Sequence, residues 1–199
     1  MQYDSQSRIG DKMRTGNWIQ TYTGRKFNPI NPQKKDICWV DIFHALSNVC
    51  RFTGHCAQFY SVAQHSVLAS RLASNENKLW ALMHDASEAY LCDVASPIKN
   101  LPAFAEYRCM EKNIMSVICQ CCGLPIEQPE EIKIIDLILL RTEARDLKLY
   151  SHEWGIAEIE PLKEKIDPWA PQRAEEEFQK TFDFMYYFGG KNCSIDFNN

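Results

Sequence analysis

The chain contains no apolar run of about eighteen residues, the minimum for a membrane-crossing helix. Its opening residues, MQYDSQSRIGDKMRTGN, hold no apolar signal core, and no lipidation motif ends it. No membrane association is therefore expected, and cytoplasm is the expected location. Period-two alternation of convincing length is missing, as are internal repeats and low-complexity tracts, which disfavours a sheet protein or a repeat array. An excess of basic residues is also lacking. The net charge of −4 argues against a polymer of nucleic acid as partner, although a local basic pocket for a phosphate is compatible with it. The nine cysteines are odd in number and scattered, so they do not form a disulfide framework. Cys119 and Cys122 have CxxC spacing but no second pair at zinc-ribbon distance, and reduced, packed thiols are expected.

What is present suffices for one globular domain: 199 residues, 45% hydrophobic and 12% aromatic. Residues 1–22 are polar and aperiodic and read as an N-terminal arm. TYTGRKFNPINPQKKD is turn-rich and basic, with Tyr22 and Phe27 available to line a nucleotide pocket or simply to sit in a solvated loop. Helical spacing then predicts an amphipathic helix over Val40–Phe52 through Ile42, Phe43, Leu46, Val49 and Cys50. A second helix follows an N-cap at Ser61, and a third spans about 77–92. Two further helices run through FAEYRCMEKNIMSVICQCC, closed by Gly123, and from Pro129 to Tyr150. A last helix carries Phe178, Phe182 and Met185 or Tyr186 on one stripe. The fold expected is all-α, with a core over 23–150 and an extension over 151–199 packing on it.

Chemistry concentrates in His84-Asp85-Ala86-Ser87-Glu88, an imidazole and two carboxylates inside the apolar run KLWALMHDASEAYLCDV. On a helix these three side chains share one lobe of surface, where Asp85 and Glu88 repel each other unless a cation lies between them. Asp136 poses the same problem inside IIDLILL, where a carboxylate is costly without a cation or donor. His65 stands among Val62, Leu68, Ala69 and Leu72. Taken alone it is an ordinary core histidine. Taken with His84, Asp85 and Asp136 it completes two imidazoles and two carboxylates, a donor set suited to manganese, cobalt, zinc or ferrous iron and unsuited to calcium.

This H…HD…D order resembles the HD-domain metal-dependent phosphohydrolases. The strings TGRKFNPINP, DIFHALSNVCRFTGH, YSVAQHSVLAS, LMHDASEAYLCDVASPIKN, EYRCMEKNIM and DLILLRTEARDL, spread over residues 23 to 147, resemble the nucleotidase branch with bacterial 5′-deoxynucleotidases and phage deoxynucleoside triphosphohydrolases. The resemblance implies an all-α HD-domain helical bundle in a single domain. It also implies one divalent ion on His65, His84, Asp85 and Asp136, with magnesium as a candidate second ion. Glu88 is then the group that handles the attacking water and Asp93 the acid for the leaving oxygen. Arg51 and Lys99 are the expected phosphate-binding groups, with His55 and Arg145 as alternatives. The implied substrate is a nucleotide, preferentially a deoxynucleotide, as a 5′-monophosphate or a triphosphate. A homo-oligomer is compatible with the pattern. The competing reading is a catalytically silent HD domain that senses a nucleotide or binds a protein; retention of both Glu88 and Asp93 speaks against it. A metal-dependent oxygenase needs more histidines than His44, His55 and His152 can add.

Overall fold

The computed structural model of the chain describes residues 16–149 and 154–188. Its centre is helix α2, Val62–Leu72, which packs against α1 (Trp39–Asn48), α3 (Lys78–Met83), α7 (Glu130–Asp146) and α8 (Pro171–Phe188). The Ser61 hydroxyl starts α2 by accepting the Gln64 amide at 3.1 Å, as an N-cap serine does. Residues 62–67 are all buried, so a polar side chain among them is costly without a partner. Gln64 finds its partners in the chain before α8: its Nε2 donates to the Asp167 carbonyl at 2.8 Å and its Oε1 accepts the Trp169 amide at 2.7 Å.

Helix α1 stops at Asn48, four residues short of the predicted end. The Asn48 amide folds back onto the His44 carbonyl at 2.8 Å, competing with continued helix. Val49 turns extended, and Cys50 pairs with Ser61 in an antiparallel bridge. The helix expected over 77–92 is likewise divided. Helix α3 ends at Met83, a turn covers 84–87, and α4 is the short segment Glu88–Leu91. Within the turn the Ala86 amide bonds the Met83 carbonyl and the Glu88 amide bonds the Asp85 carbonyl, both at 2.9 Å. These i to i+3 bonds wind the chain more tightly than an α-helix, so His84 and Asp85 project from a 3₁₀-like turn.

Helix α5 (Ser96–Lys99) leads to α6 (Ala105–Cys122), which closes where the predicted Gly123 takes a left-handed φ of 69°. Helix α7 begins after Pro129, as expected, and ends at Asp146; Tyr150 lies outside the described residues. Phe178 and Phe182 of α8 are fully buried in the same core as Ile42, Leu46, Val67 and Leu82. The described part of the 151–199 extension is thus integral to that core. A second cluster of Trp80, Ile132, Ile135 and Leu139 joins it through Met115 and Leu124, making one all-α domain.

Two departures concern the N-terminal stretch. Strands β1 (Ile19–Gln20) and β2 (Lys26–Phe27) pair antiparallel around Gly24, whose φ of 80° suits glycine, so the boundary expected after residue 22 falls inside a hairpin. Phe27 does not line a pocket. It is fully buried and stacks on Tyr90 with ring centroids 3.7 Å apart, while the exposed Tyr22 stacks on His44.

Among the described residues no helix is long and apolar enough to cross a membrane. The eight described cysteines are free; Cys193 lies outside the described residues. Cys119 is buried and Cys122 half-buried on one side of α6. Replacing both by alanine is expected to cost about 1–2 kcal/mol of packing in urea unfolding and to leave metal content unchanged. Loss of bound zinc from that protein would show a thiolate site.

Candidate metal centre

Three elements bring the site together: α2 supplies His65, the turn after α3 supplies His84 and Asp85, and α7 supplies Asp136. One ligand atom from each of His65, His84 and Asp136 lies within 4.8 Å of the others. The two Nε2 atoms are 3.2 Å apart, and Asp136 Oδ1 is 3.3 Å from His65 Nε2. Asp85 Oδ2 sits beside them, 3.1 Å from His84 Nε2 and 3.7 Å from His65 Nε2. Three of the four expected ligands therefore form one group, and Asp85 lies against its two histidines.

The remaining ring nitrogens settle which atoms face inward. His84 Nδ1 donates to the Ala81 carbonyl at 2.7 Å, and His65 Nδ1 bonds Glu143 Oε1 at 2.6 Å. Both Nδ1 atoms act as donors, so the two Nε2 atoms face each other: in the ion-free protein a proton on His65 Nε2 bridges them, and a cation that displaces it meets two inward lone pairs. Nitrogens about 2.0–2.1 Å from a tetrahedral ion stand about 3.3 Å apart. The spacing and the donor set fit a divalent metal ion.

Glu143 was not anticipated from the sequence. It is fully buried, and its second oxygen accepts from Arg51 Nη2 at 3.2 Å. It lies seven residues after Asp136, two turns along the same face of α7, and that spacing is the signal that could have found it. Burial works against its charge, but Arg51 and His65 outweigh burial and lower it below the usual carboxylate range. Arg51 is itself buried. Its Nη1 reaches Asp85 Oδ2 at 3.4 Å, and its Nε has no hydrogen-bond partner among the described residues.

Asp136 corrects one step of the sequence argument. Its side chain is 46% exposed. Solvent lowers the cost of its charge, so its tolerance within IIDLILL does not by itself require an ion.

Glu88 is buried at the start of α4, and among the described residues its Oε2 has no hydrogen-bond partner. Burial, Asp85 and Asp93 together push it well above the usual carboxylate range. Burial also raises Asp93, half-buried after α4; Arg51 opposes the shift and Asp85 adds to it. Between them Cys92 takes a positive φ of 64°, a strained conformation for a side-chain-bearing residue. Lys99 donates from Nζ to Glu111 at 2.6 Å. Its ammonium also feels Glu88 and Asp85, which places it in the field of the cluster.

The alternatives for phosphate binding fare differently. His55 is exposed at the end of the turn Phe52–Gly54. Arg145 points outward: its Nη1 and Nη2 donate to the Leu162 and Glu164 carbonyls at 2.6 and 2.9 Å, and it pairs with Asp146. Its structural work is to hold the segment before α8 against α7, not to meet a ligand at the cluster.

The imidazole of His65 carries a pH dependence. Burial and Arg51 disfavour its proton, but Glu143 and Asp136 outweigh them and raise the ring to about 9. Below that value the ion-free ring is cationic and a metal must displace its proton. Apparent metal affinity is therefore expected to rise as pH rises, by up to about tenfold per unit between about pH 6 and 8. Chelator-competition titrations at several pH values measure this, and a flat profile contradicts it. Asp136→Ala removes one of the three clustered ligand atoms and is expected to cost most of the bound metal. A full complement in that protein, by elemental analysis, removes Asp136 from the ligand set.

No family model matches the chain. It is 43% identical over 169 residues to the uncharacterized protein YfdR of Escherichia coli K12, covering 83% of this chain and 94% of that protein. It is 30% identical over 164 residues to the uncharacterized protein RCAP_rcc00048 of Rhodobacter capsulatus, covering 76% of this chain and 81% of the relative. Identity at that level over nearly the whole length of the Escherichia coli protein places this chain in one family with YfdR, and to that family it belongs.

Proposed function

We propose that the protein is an HD-domain phosphohydrolase that uses one divalent ion, manganese, cobalt, zinc or iron, to cleave a phosphate ester of a nucleotide, with deoxynucleotides preferred. The observation that carries the reading is the pair of facing Nε2 atoms 3.2 Å apart, set beside Asp85 and Asp136 and next to a buried arginine. A bound ion supplies charge compensation and an acidified water, which suits a reaction that needs little covalent help.

The chain's own residues supply the remaining parts. In this reading Glu88, buried, accepts a proton from the attacking water, and the burial that raises its affinity for protons suits it to a base. Asp93, whose affinity for protons burial also raises, is in this reading the acid for the leaving oxygen. Arg51 and Lys99 provide fixed positive charge against the phosphate, and the low dielectric around Arg51 strengthens that contribution. A nucleotide ester as substrate is consistent with a cytoplasmic location.

The decisive experiment incubates the purified protein with the common nucleoside and deoxynucleoside mono-, di- and triphosphates, with manganese, cobalt, zinc and magnesium in turn. Released phosphate, pyrophosphate and triphosphate are measured. Metal-dependent release from at least one nucleotide is expected. Binding of metal and nucleotide with no product from any of them would replace the enzyme by a nucleotide sensor.

A further inference from the structure

The turn that carries Arg51 is bracketed by two thiols. Cys50 and Cys56 place their Sγ atoms 3.7 Å apart, and Cys56 Sγ lies 3.9 Å from the Arg51 carbonyl oxygen. Cys50 is held from both sides: the Arg51 amide donates to the Tyr60 carbonyl at 2.9 Å and the Val62 amide to the Val49 carbonyl at 3.0 Å. Between the thiols the backbone passes through positive φ at Phe52, Thr53 and Gly54. His55 and residues 57–59 are exposed and Cys56 is half-buried. The other described cysteines are differently placed, with Cys38 just before α1, Cys119, Cys121 and Cys122 along one helix, and Cys92 and Cys109 exposed.

We propose that Cys50 and Cys56 form a reversible disulfide that closes the Arg51 turn, with a small-molecule disulfide of the glutathione type as oxidant. A disulfide holds its sulfurs about 2.05 Å apart, so the two atoms must approach by about 1.7 Å. The movement falls on Cys56, in the exposed part of the turn, because Cys50 is fixed by the bridge to Ser61. In the exchange, one protein thiolate attacks a sulfur of the reagent, forming a mixed disulfide and expelling one small thiolate. The second cysteine then gives its proton to water, attacks the protein-side sulfur and expels the other. Two protein thiols are oxidised to one disulfide, and the reagent is reduced to two thiols.

Burial and the neighbouring Cys50 thiol push Cys56 up to about 11, so the exchange is slow near neutral pH and accelerates as pH rises. Closing the bridge removes the Cys56 S–H donor from the Arg51 carbonyl and covalently restrains the turn from which Arg51 reaches Asp85 and Glu143.

The test uses the full chain, equilibrated without air in oxidised glutathione at about pH 8.5, near the unperturbed thiol value. Remaining thiols are alkylated and the peptides mapped by mass spectrometry. The expected product is a Cys50–Cys56 linked peptide, two hydrogens lighter than the reduced pair and reversed by dithiothreitol. In Cys56→Ser, Cys50 is expected to carry a glutathione adduct instead. Full alkylation of both cysteines after equilibration, a bridge from either to another cysteine, or linkage that forms only in urea would each overturn the proposal.

Discussion

Glu88→Gln is expected to retain its metal and lose turnover by roughly 10²–10⁴-fold, the range for removing a positioned general base. Glutamine preserves the shape of a buried side chain but places an amide where a proton acceptor is needed. Among the described residues Glu88 Oε2 has no hydrogen-bond partner, so the substitution breaks no hydrogen bond at that oxygen. Removing the negative charge also relieves repulsion from Asp85 and Asp93, so folding stability is expected to hold or rise slightly. Elemental analysis and turnover on the substrate found in the nucleotide screen read the two effects separately. Wild-type turnover in the variant would remove Glu88 from the chemistry, and joint loss of metal and turnover would move it into the ligand set.

Much of this arrangement was legible in the sequence because the signals were local. Ser61 before an apolar run reads as an N-cap, Gly123 after one reads as a helix end, and both act as read. His65, His84 and Asp136 announced themselves by polarity inside apolar runs, and the fold brings their ligand atoms together. The departures occur where a neighbouring segment decides the outcome. Val49 has helical company in the sequence, yet Ser61 recruits its neighbour Cys50 into a bridge that no local pattern encodes. The run from Asn77 to Cys92 has continuous apolar periodicity, which cannot distinguish an unbroken helix from two short ones joined by a 3₁₀-like turn. Arg145 is charged and near Asp136 in sequence, but helix phase points it away, toward carbonyls of a segment 17–19 residues later. Glu143 shows the converse. Its sequence neighbours Arg141 and Arg145 make it look like part of a solvated helix face, and only the partners His65 and Arg51, 78 and 92 residues away, reveal it as buried.

Those two partners make Glu143→Ala the substitution with the largest expected effect on the protein as a whole. A single carboxylate, fully buried, accepts from His65 Nδ1 through one oxygen and from Arg51 Nη2 through the other. Its removal leaves the buried Arg51 guanidinium with only the longer contact to Asp85, and breaking a buried pair in this way costs about 3–5 kcal/mol. It also frees the His65 ring to rotate or to move its proton to Nε2, which would close the lone pair needed for a ligand. Loss of such a carboxylate behind a ligating histidine lowers metal affinity about 10–100-fold. Glu143→Gln separates the two contributions. Its carbonyl oxygen can still accept from His65 Nδ1, so metal affinity should fall less than in Glu143→Ala, while the charge opposite Arg51 is lost in both. Urea unfolding of the chelator-treated proteins gives the stability terms, and metal titration of the folded proteins gives the affinities. If Glu143→Ala binds metal as tightly as the unsubstituted protein, packing alone orients His65, and the carboxylate serves only to neutralise Arg51.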